Sequence, residues 1–204
     1  MRTILFIGDS ITDCGRRNDA EQLGDGYVRI IRDWLIVKEM GGAPRVINRG
    51  ISGNRVTDLR ERWREDVLAL SPTTLSIKIG INDVWHSLGG RNEGVPLPKF
   101  VDTYREILQM TRRELPNCHL VLCEPSVIWP PQPAEGNTVL RGYVSAVHDL
   151  AREYHAQCVV PLHGVFNRAR EARPDVVWAP DGVHPSHAGH MLIARTWLAT
   201  TGML

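Results

Sequence analysis

A chain of 204 residues with 43% hydrophobic composition can bury a continuous core without disulfide or metal staples, and one domain over residues 1–204 is expected. Its 24 basic and 23 acidic side chains nearly cancel, which leaves no broad field for gripping a phosphate backbone or an anionic membrane, so neither nucleic acid nor membrane is an expected partner. Cys14, Cys118, Cys123 and Cys158 show no C-x-x-C spacing, and Cys118 and Cys123 flank the apolar run Leu120 to Leu122, as buried thiols do.

The chain enters a strand signal at once, Thr3-Ile4-Leu5-Phe6-Ile7, too short and too soon broken by Asp9 to be a signal peptide. No apolar stretch reaches the length of a membrane span, and a cytoplasmic location is expected. Tyr27, Ile30, Ile31, Trp34 and Leu35 then recur at helical spacing. Over Tyr27 to Met40 a second apolar strip, Val28, Ile36 and Val37, points to a homo-oligomer. Arg45 to Ile47 reads as a strand, Val56, Leu59, Trp63, Val67 and Leu70 as a helix, and Leu75 to Ile79 as a third strand. A Gly- and Pro-rich stretch from Leu88 to Pro98 reads as a loop, followed by a helix through Phe100, Tyr104, Ile107, Leu108 and Thr111. Leu120 to Leu122 is the fourth strand, Trp129 to Asn137 a second loop, and Leu140, Tyr143, Val147, Leu150 and Tyr154 another helix. Cys158 to Val160 is the fifth strand, and a last helix is expected from about Pro185 to Ala199. The strand runs mostly lack polar alternation, as strands buried on both faces do. Alternating with helices, they predict right-handed crossovers and a three-layer α/β/α sandwich around a parallel sheet.

Such sheets bind ligands beyond the carboxyl ends of their strands. Ser10 follows the first strand in Gly8-Asp9-Ser10, Gly53 the second in Gly50-Ile51-Ser52-Gly53-Asn54, and Asn82 the third in Gly80-Ile81-Asn82-Asp83. Asp181 and His184 lie in Asp181-Gly182-Val183-His184-Pro185, before the last helix. Nucleophilic catalysis needs a hydroxyl, an imidazole to take its proton and a carboxylate to fix the imidazole tautomer, and each has a candidate at this edge. Glycine lets backbone N–H approach a developing oxyanion, and an Asn amide is a donor that does not titrate. Taken singly, each segment also reads as an ordinary turn or helix cap. His184, His187 and His190 with Asp181 admit a metal reading, but no second acidic or Cys cluster completes it and no metal is expected. There is no G-x-S-x-G elbow, G-x-G-x-x-G or G-x-x-x-x-G-K.

The four segments in this order resemble the SGNH (GDSL-type) hydrolases over nearly the whole chain. Within that superfamily the chain is most similar to bacterial acetyl xylan esterases, through residues 6–16, 50–54 and 79–85, Val183-His184-Pro185-Ser186 and Ala188-Gly189-His190-Met191. The resemblance implies a flavodoxin-like, five-stranded parallel sheet, no cofactor, and removal of O-acetyl groups from carbohydrate. It implies Ser10 as nucleophile, His184 as base, Asp181 as its orienter, and the Ser10 and Gly53 N–H groups with the Asn82 amide as the oxyanion hole. Asp9, Trp85, Trp129 and Trp178 are candidate pocket residues; each Trp could stack on a sugar, wall an acyl pocket, or fill core or a subunit contact. Two alternatives stand beside the esterase: a lysophospholipase or thioesterase on the same fold, which would want a long apolar groove, and a non-catalytic binding protein, which would lack a triad member. None is missing from the sequence.

Overall fold

The computed structural model describes residues 2–90 and 92–204; Met1, and Arg91 within the expected 88–98 loop, lie outside the described residues. Five strands, β1 (Thr3–Gly8), β2 (Arg45–Gly50), β3 (Thr74–Lys78), β4 (His119–Cys123) and β5 (Cys158–Val160), form one parallel sheet in the order β2-β1-β3-β4-β5. Both faces are covered, so Leu5, Phe6, Ile7, Leu75, Ile77, Leu120, Val121 and Leu122 are all buried although they alternate in direction.

The helices divide between the two faces. On one, α2 (Tyr27–Glu39) packs against α8 (His187–Thr201), with α7 (Leu162–Ala172) beside α8. On the other lie α3 (Val56–Asp66), α5 (Leu97–Glu114) and α6 (Gly136–Glu153). Two short helices, α1 (Ser10–Asp13) and α4 (Ile81–Trp85), cap the carboxyl ends of β1 and β3. Phe6 packs edge-on to Tyr27 and against Trp197 under α2 and α8; across the sheet Trp63 donates to Thr111 between α3 and α5.

Register places the site. Gly8 pairs with Gly50 on one side and Lys78 on the other, and Lys78 pairs with Cys123, so the strands end at one level. The strand order reverses between β1 and β3, and a doubly wound sheet opens a crevice at such a switch point. The segments carrying Ser10, Gly53 and Asn82 all leave the sheet there.

Some expectations need correction. Val28 is fully buried and belongs to the core face of α2, whereas Trp34, assigned to that face, is 42% exposed and donates its indole N–H to the Met203 carbonyl. The last helix starts at His187, because Ser186 is its N-cap and accepts from the Gly189 N–H. Helix α7 was not expected: only Leu162 and Phe166 of it are buried, too narrow a stripe to stand out among charged residues.

Candidate active site

Ser10 is the first residue of α1, after the N-cap Asp9, whose carboxylate accepts from the Ile11 N–H at 3.0 Å. At that position its backbone N–H has no carbonyl within the helix to bind. The Ser10 hydroxyl lies 2.9 Å from His184 Nε2, and His184 Nδ1 lies 2.6 Å from Asp181 Oδ2. Asp181 Oδ1 accepts the Val183 and His184 N–H groups at 2.9 and 2.7 Å. Partial burial raises the Asp181 carboxyl, but the His184 ring and these two amides outweigh it and hold the group below the usual carboxylate range. An ionised Asp181 only accepts, so Nδ1 carries the imidazole proton and Nε2 offers its lone pair to the Ser10 O–H.

Opposite lie the 50–55 segment and α4. Gly53 has φ +81°, a conformation that side chains rarely adopt, and it is exposed on the crevice rim. Asn82 is buried, and its amide nitrogen donates one hydrogen to the Asn54 carbonyl at 3.0 Å, leaving the second for a ligand. This side is held by side chains with no obvious sequence signal. Arg62 of α3 donates to the Asn54 side chain (2.8 Å) and to the Arg49 and Gly8 carbonyls, tying the segment to the ends of β2 and β1. Asp13 accepts from both the N–H and hydroxyl of Ser52, each at 3.1 Å. Asp83, buried at the amino end of α3, accepts from the Val56 N–H at 3.0 Å. Burial raises its carboxyl to about 7, against the hydrogen bonds from Val56 and its own N–H, with Asp9 and Asp58 adding to the rise.

The candidate pocket residues separate. Trp85, half-buried at the end of α4, sets its ring edge-on to His184 at 5.7 Å and alone of the four faces the candidate triad. Asp9 is fully buried beneath the site and engaged in capping, so it does not line a pocket. Trp129 is buried against Phe166, its indole N–H on Asn167 and its ring under the Arg170 guanidinium; it is core packing. Trp178 donates to the Arg173 carbonyl and accepts the Ser186 N–H, so it braces the chain entering α8. Gln132 was not foreseen: its side chain accepts from Trp85 Nε1 at 2.8 Å and donates to the Asp181 carbonyl at 2.9 Å. Only the Pro- and Gly-rich character of the surrounding loop pointed toward it.

Among the described residues no group of three or more His, Cys, Asp or Glu is placed to hold a metal ion. His187 is exposed, while His190 turns inward to accept the Tyr27 N–H at 3.2 Å beside the Cys14 thiol. Burial lowers His190 to about 4, with the nearby Lys78 contributing. Among the described residues no helix is long and apolar enough to cross a membrane.

The geometry has known counterparts. Residues 6–192 match the GDSL-like lipase/acylhydrolase family. The chain is 39% identical to an acetylxylan esterase of Geobacillus stearothermophilus over 212 aligned positions, covering 98% of this chain and 93% of the relative. Among solved structures, a GDSL-like protein from Parabacteroides merdae superposes with a TM-score of 0.88 at 36% identity, over 100% of this chain and 96% of that one. A catalytic mutant of an acetylxylan esterase from Geobacillus stearothermophilus gives 0.89 at 34%, over 100% and 95%. In that enzyme, alanine replacements of one serine, one aspartate and one histidine are catalytic mutants.

Proposed function

The chain belongs to the GDSL-like lipase/acylhydrolase family and is a carboxylic ester hydrolase, and from that premise we propose that it is a serine esterase that removes O-acetyl groups from xylo-oligosaccharide-like carbohydrates through an acyl-enzyme on Ser10. The observation that carries the reading is the aligned relay from Ser10 through His184 to Asp181, at 2.9 and 2.6 Å, in a chain 39% identical to an acetylxylan esterase. In this reading the Ser10 oxygen attacks the ester carbonyl while His184 Nε2 takes its proton. The oxyanion is held by the Ser10 and Gly53 N–H groups and the Asn82 amide, and His184 then gives the proton to the departing sugar hydroxyl. Water enters, His184 removes its proton, and acetate leaves as Ser10 is reprotonated. Asp181 stays ionised throughout and stabilises the imidazolium that forms at each step.

The substrate is a small acetylated carbohydrate or related small ester. The support for this is the 39% identity to an acetylxylan esterase, and in this reading Trp85, whose ring centroid lies 5.7 Å from that of His184, walls the acyl side of the site. A cytoplasmic, homo-oligomeric enzyme belongs to the same proposal: all four cysteines are free, and Ile36, Val37 and Met40 at the outer face and end of α2 are 45, 66 and 75% exposed.

The test is initial rate on acetylated xylo-oligosaccharide and on the p-nitrophenyl esters of acetate, butyrate and octanoate, for wild type and Ser10→Ala. The sugar and the acetyl ester should turn over fastest, and Ser10→Ala should fold normally while losing about 10⁴-fold or more in kcat. Unimpaired turnover by Ser10→Ala would remove it as nucleophile; octanoate as the best ester would move the substrate to lipids or thioesters.

A further inference from the structure

The two halves of the site are carried by different parts of the chain: the oxyanion donor Asn82 by α4, the base and its carboxylate by the 181–184 segment. One side chain joins them across the crevice. Gln132 Oε1 accepts from the indole N–H of Trp85, the last residue of α4, at 2.8 Å, and Gln132 Nε2 donates to the Asp181 carbonyl at 2.9 Å. The amide orientation follows from its partners, since an indole N–H only donates and a peptide carbonyl only accepts. The Gln132 backbone is fixed too. Its N–H bonds to the Trp129 carbonyl and the Trp129 N–H to the Gly182 carbonyl, both at 2.9 Å, which seats this loop on the 181–184 segment.

We propose that Gln132 is a positioning residue of the esterase: by bridging the Trp85 indole to the Asp181 carbonyl it fixes the indole edge-on to the His184 ring, and so sets both the acyl-side wall and the distance between oxyanion donor and base. The proposal rests on the reading of Ser10, His184 and Asp181 as a catalytic triad. Gln132 acts through Trp85 and the Asp181 backbone, so its loss moves parts of the site relative to each other and removes no reacting group. Such displacement lowers turnover and relaxes the fit to the acetyl group, with less effect on holding the sugar.

The experiment measures kcat and KM separately on p-nitrophenyl acetate and butyrate for wild type, Gln132→Met, Gln132→Asn, Trp85→Phe and the Gln132→Met/Trp85→Phe double variant, with thermal melting of each. Gln132→Met keeps side-chain length and loses both hydrogen bonds. Gln132→Asn keeps the amide but is one methylene short of spanning both partners. Both should lose about tenfold in kcat on acetate with KM within about threefold, and their butyrate-to-acetate ratio should rise. Trp85→Phe should do the same, and the double variant should lose no more than the worse single one, because the two residues act as a unit. The proposal is overturned if kcat and acyl preference stay at wild-type values in folded Gln132 variants, even with a lowered melting temperature, or if the losses of the two single variants multiply. Wild-type hydrolysis that does not depend on Ser10 would instead show that the triad reading itself is wrong, and the proposal with it.

Discussion

The half of the crevice that carries His184 and the half that carries Asn82 are built by opposite means. Asp181 and His184 keep 47 and 39% of their side chains exposed and are oriented mainly by each other and by amides within three residues. Asn82 and Asp83 are 1% exposed, and the segment facing them is tied down by Arg62 and Asp13, which come from α3 and α1. The difference matches the work proposed for each half. An oxyanion hole is effective when its dipoles are already aimed and cannot reorganise, which a buried, cross-linked frame provides. An imidazole that takes a proton from one oxygen and gives it to another must rotate slightly and reach solvent, which a locally held, half-exposed loop permits.

Breaking the exposed half chemically should cost the most. Asp181 Oδ1 accepts two backbone N–H groups, so in Asp181→Asn the amide oxygen would take that place and the NH₂ would face His184 Nδ1. The imidazole would then carry its proton on Nε2, pointed at Ser10, where it cannot act as base. The expected loss in kcat is about 10⁴-fold with the fold intact; a loss under about tenfold would mean that Asp181 does not set the tautomer. On the buried half, Asn82→Ala removes a donor together with its bond to the Asn54 carbonyl, while Arg62 and Asp13 still hold the facing segment, and should cost about 100- to 1000-fold in kcat with KM nearly unchanged. If KM rises and kcat holds, Asn82 binds ground state and transition state equally and is no oxyanion donor.

Gly182→Ala tests whether the exposed half depends on its seat against the neighbouring loop. At φ +83° an added Cβ would lie 2.0 Å from the Trp129 carbonyl oxygen, a backbone atom with little room to retreat. The 181–184 segment must shift, and a displacement near 1 Å at the base is worth about 100-fold in kcat. Near-wild-type kcat/KM in that variant would show that the segment can move freely without harm.

What could be read from the sequence divides along the same line. The five strands and the placing of Ser10, Asn82, Asp181 and His184 at one edge were legible because uninterrupted apolar runs mark strands buried on both faces, and a parallel sheet brings their carboxyl ends together. The residues that hold those groups in place were not. Arg62 lies on a helix whose remaining charged residues read as a solvated face, and nothing in its spacing tells that it turns under β1 and β2. Gln132 is one polar residue in a loop, its function fixed by two partners 47 and 49 positions away. Trp129 misled for the converse reason: a Trp in a loop near a site can as well be packing, and here its ring is buried against Phe166 with its indole N–H on Asn167. Asp9 misled because a residue next to a nucleophile in sequence can point beneath it, as an N-cap does.

The smallest effect separates the halves by pH. Asp83 is buried and titrates in the folded protein at about 7, well above an ordinary carboxyl, chiefly because burial opposes its charge. Arg55, whose guanidinium is engaged by Asp58, adds no direct hydrogen bond to it. In the unfolded chain the same carboxyl releases its proton near pH 4, so between about pH 4 and 7 the unfolded state binds fewer protons than the folded one. Stability from this group is therefore complete below about pH 4, falls as pH rises through that window at no more than about 1.4 kcal/mol per pH unit, and is level above it. Asp83→Asn keeps an oxygen for the Val56 N–H and cannot ionise, so its stability relative to wild type should grow as pH rises from 5 to 8. Urea unfolding of both proteins across that range measures the difference directly. Curves that stay parallel would mean that Asp83 is already ionised across that range in the folded protein as it is in the unfolded chain, so that the hydrogen bond from Val56 outweighs burial in setting the charge of the buried half.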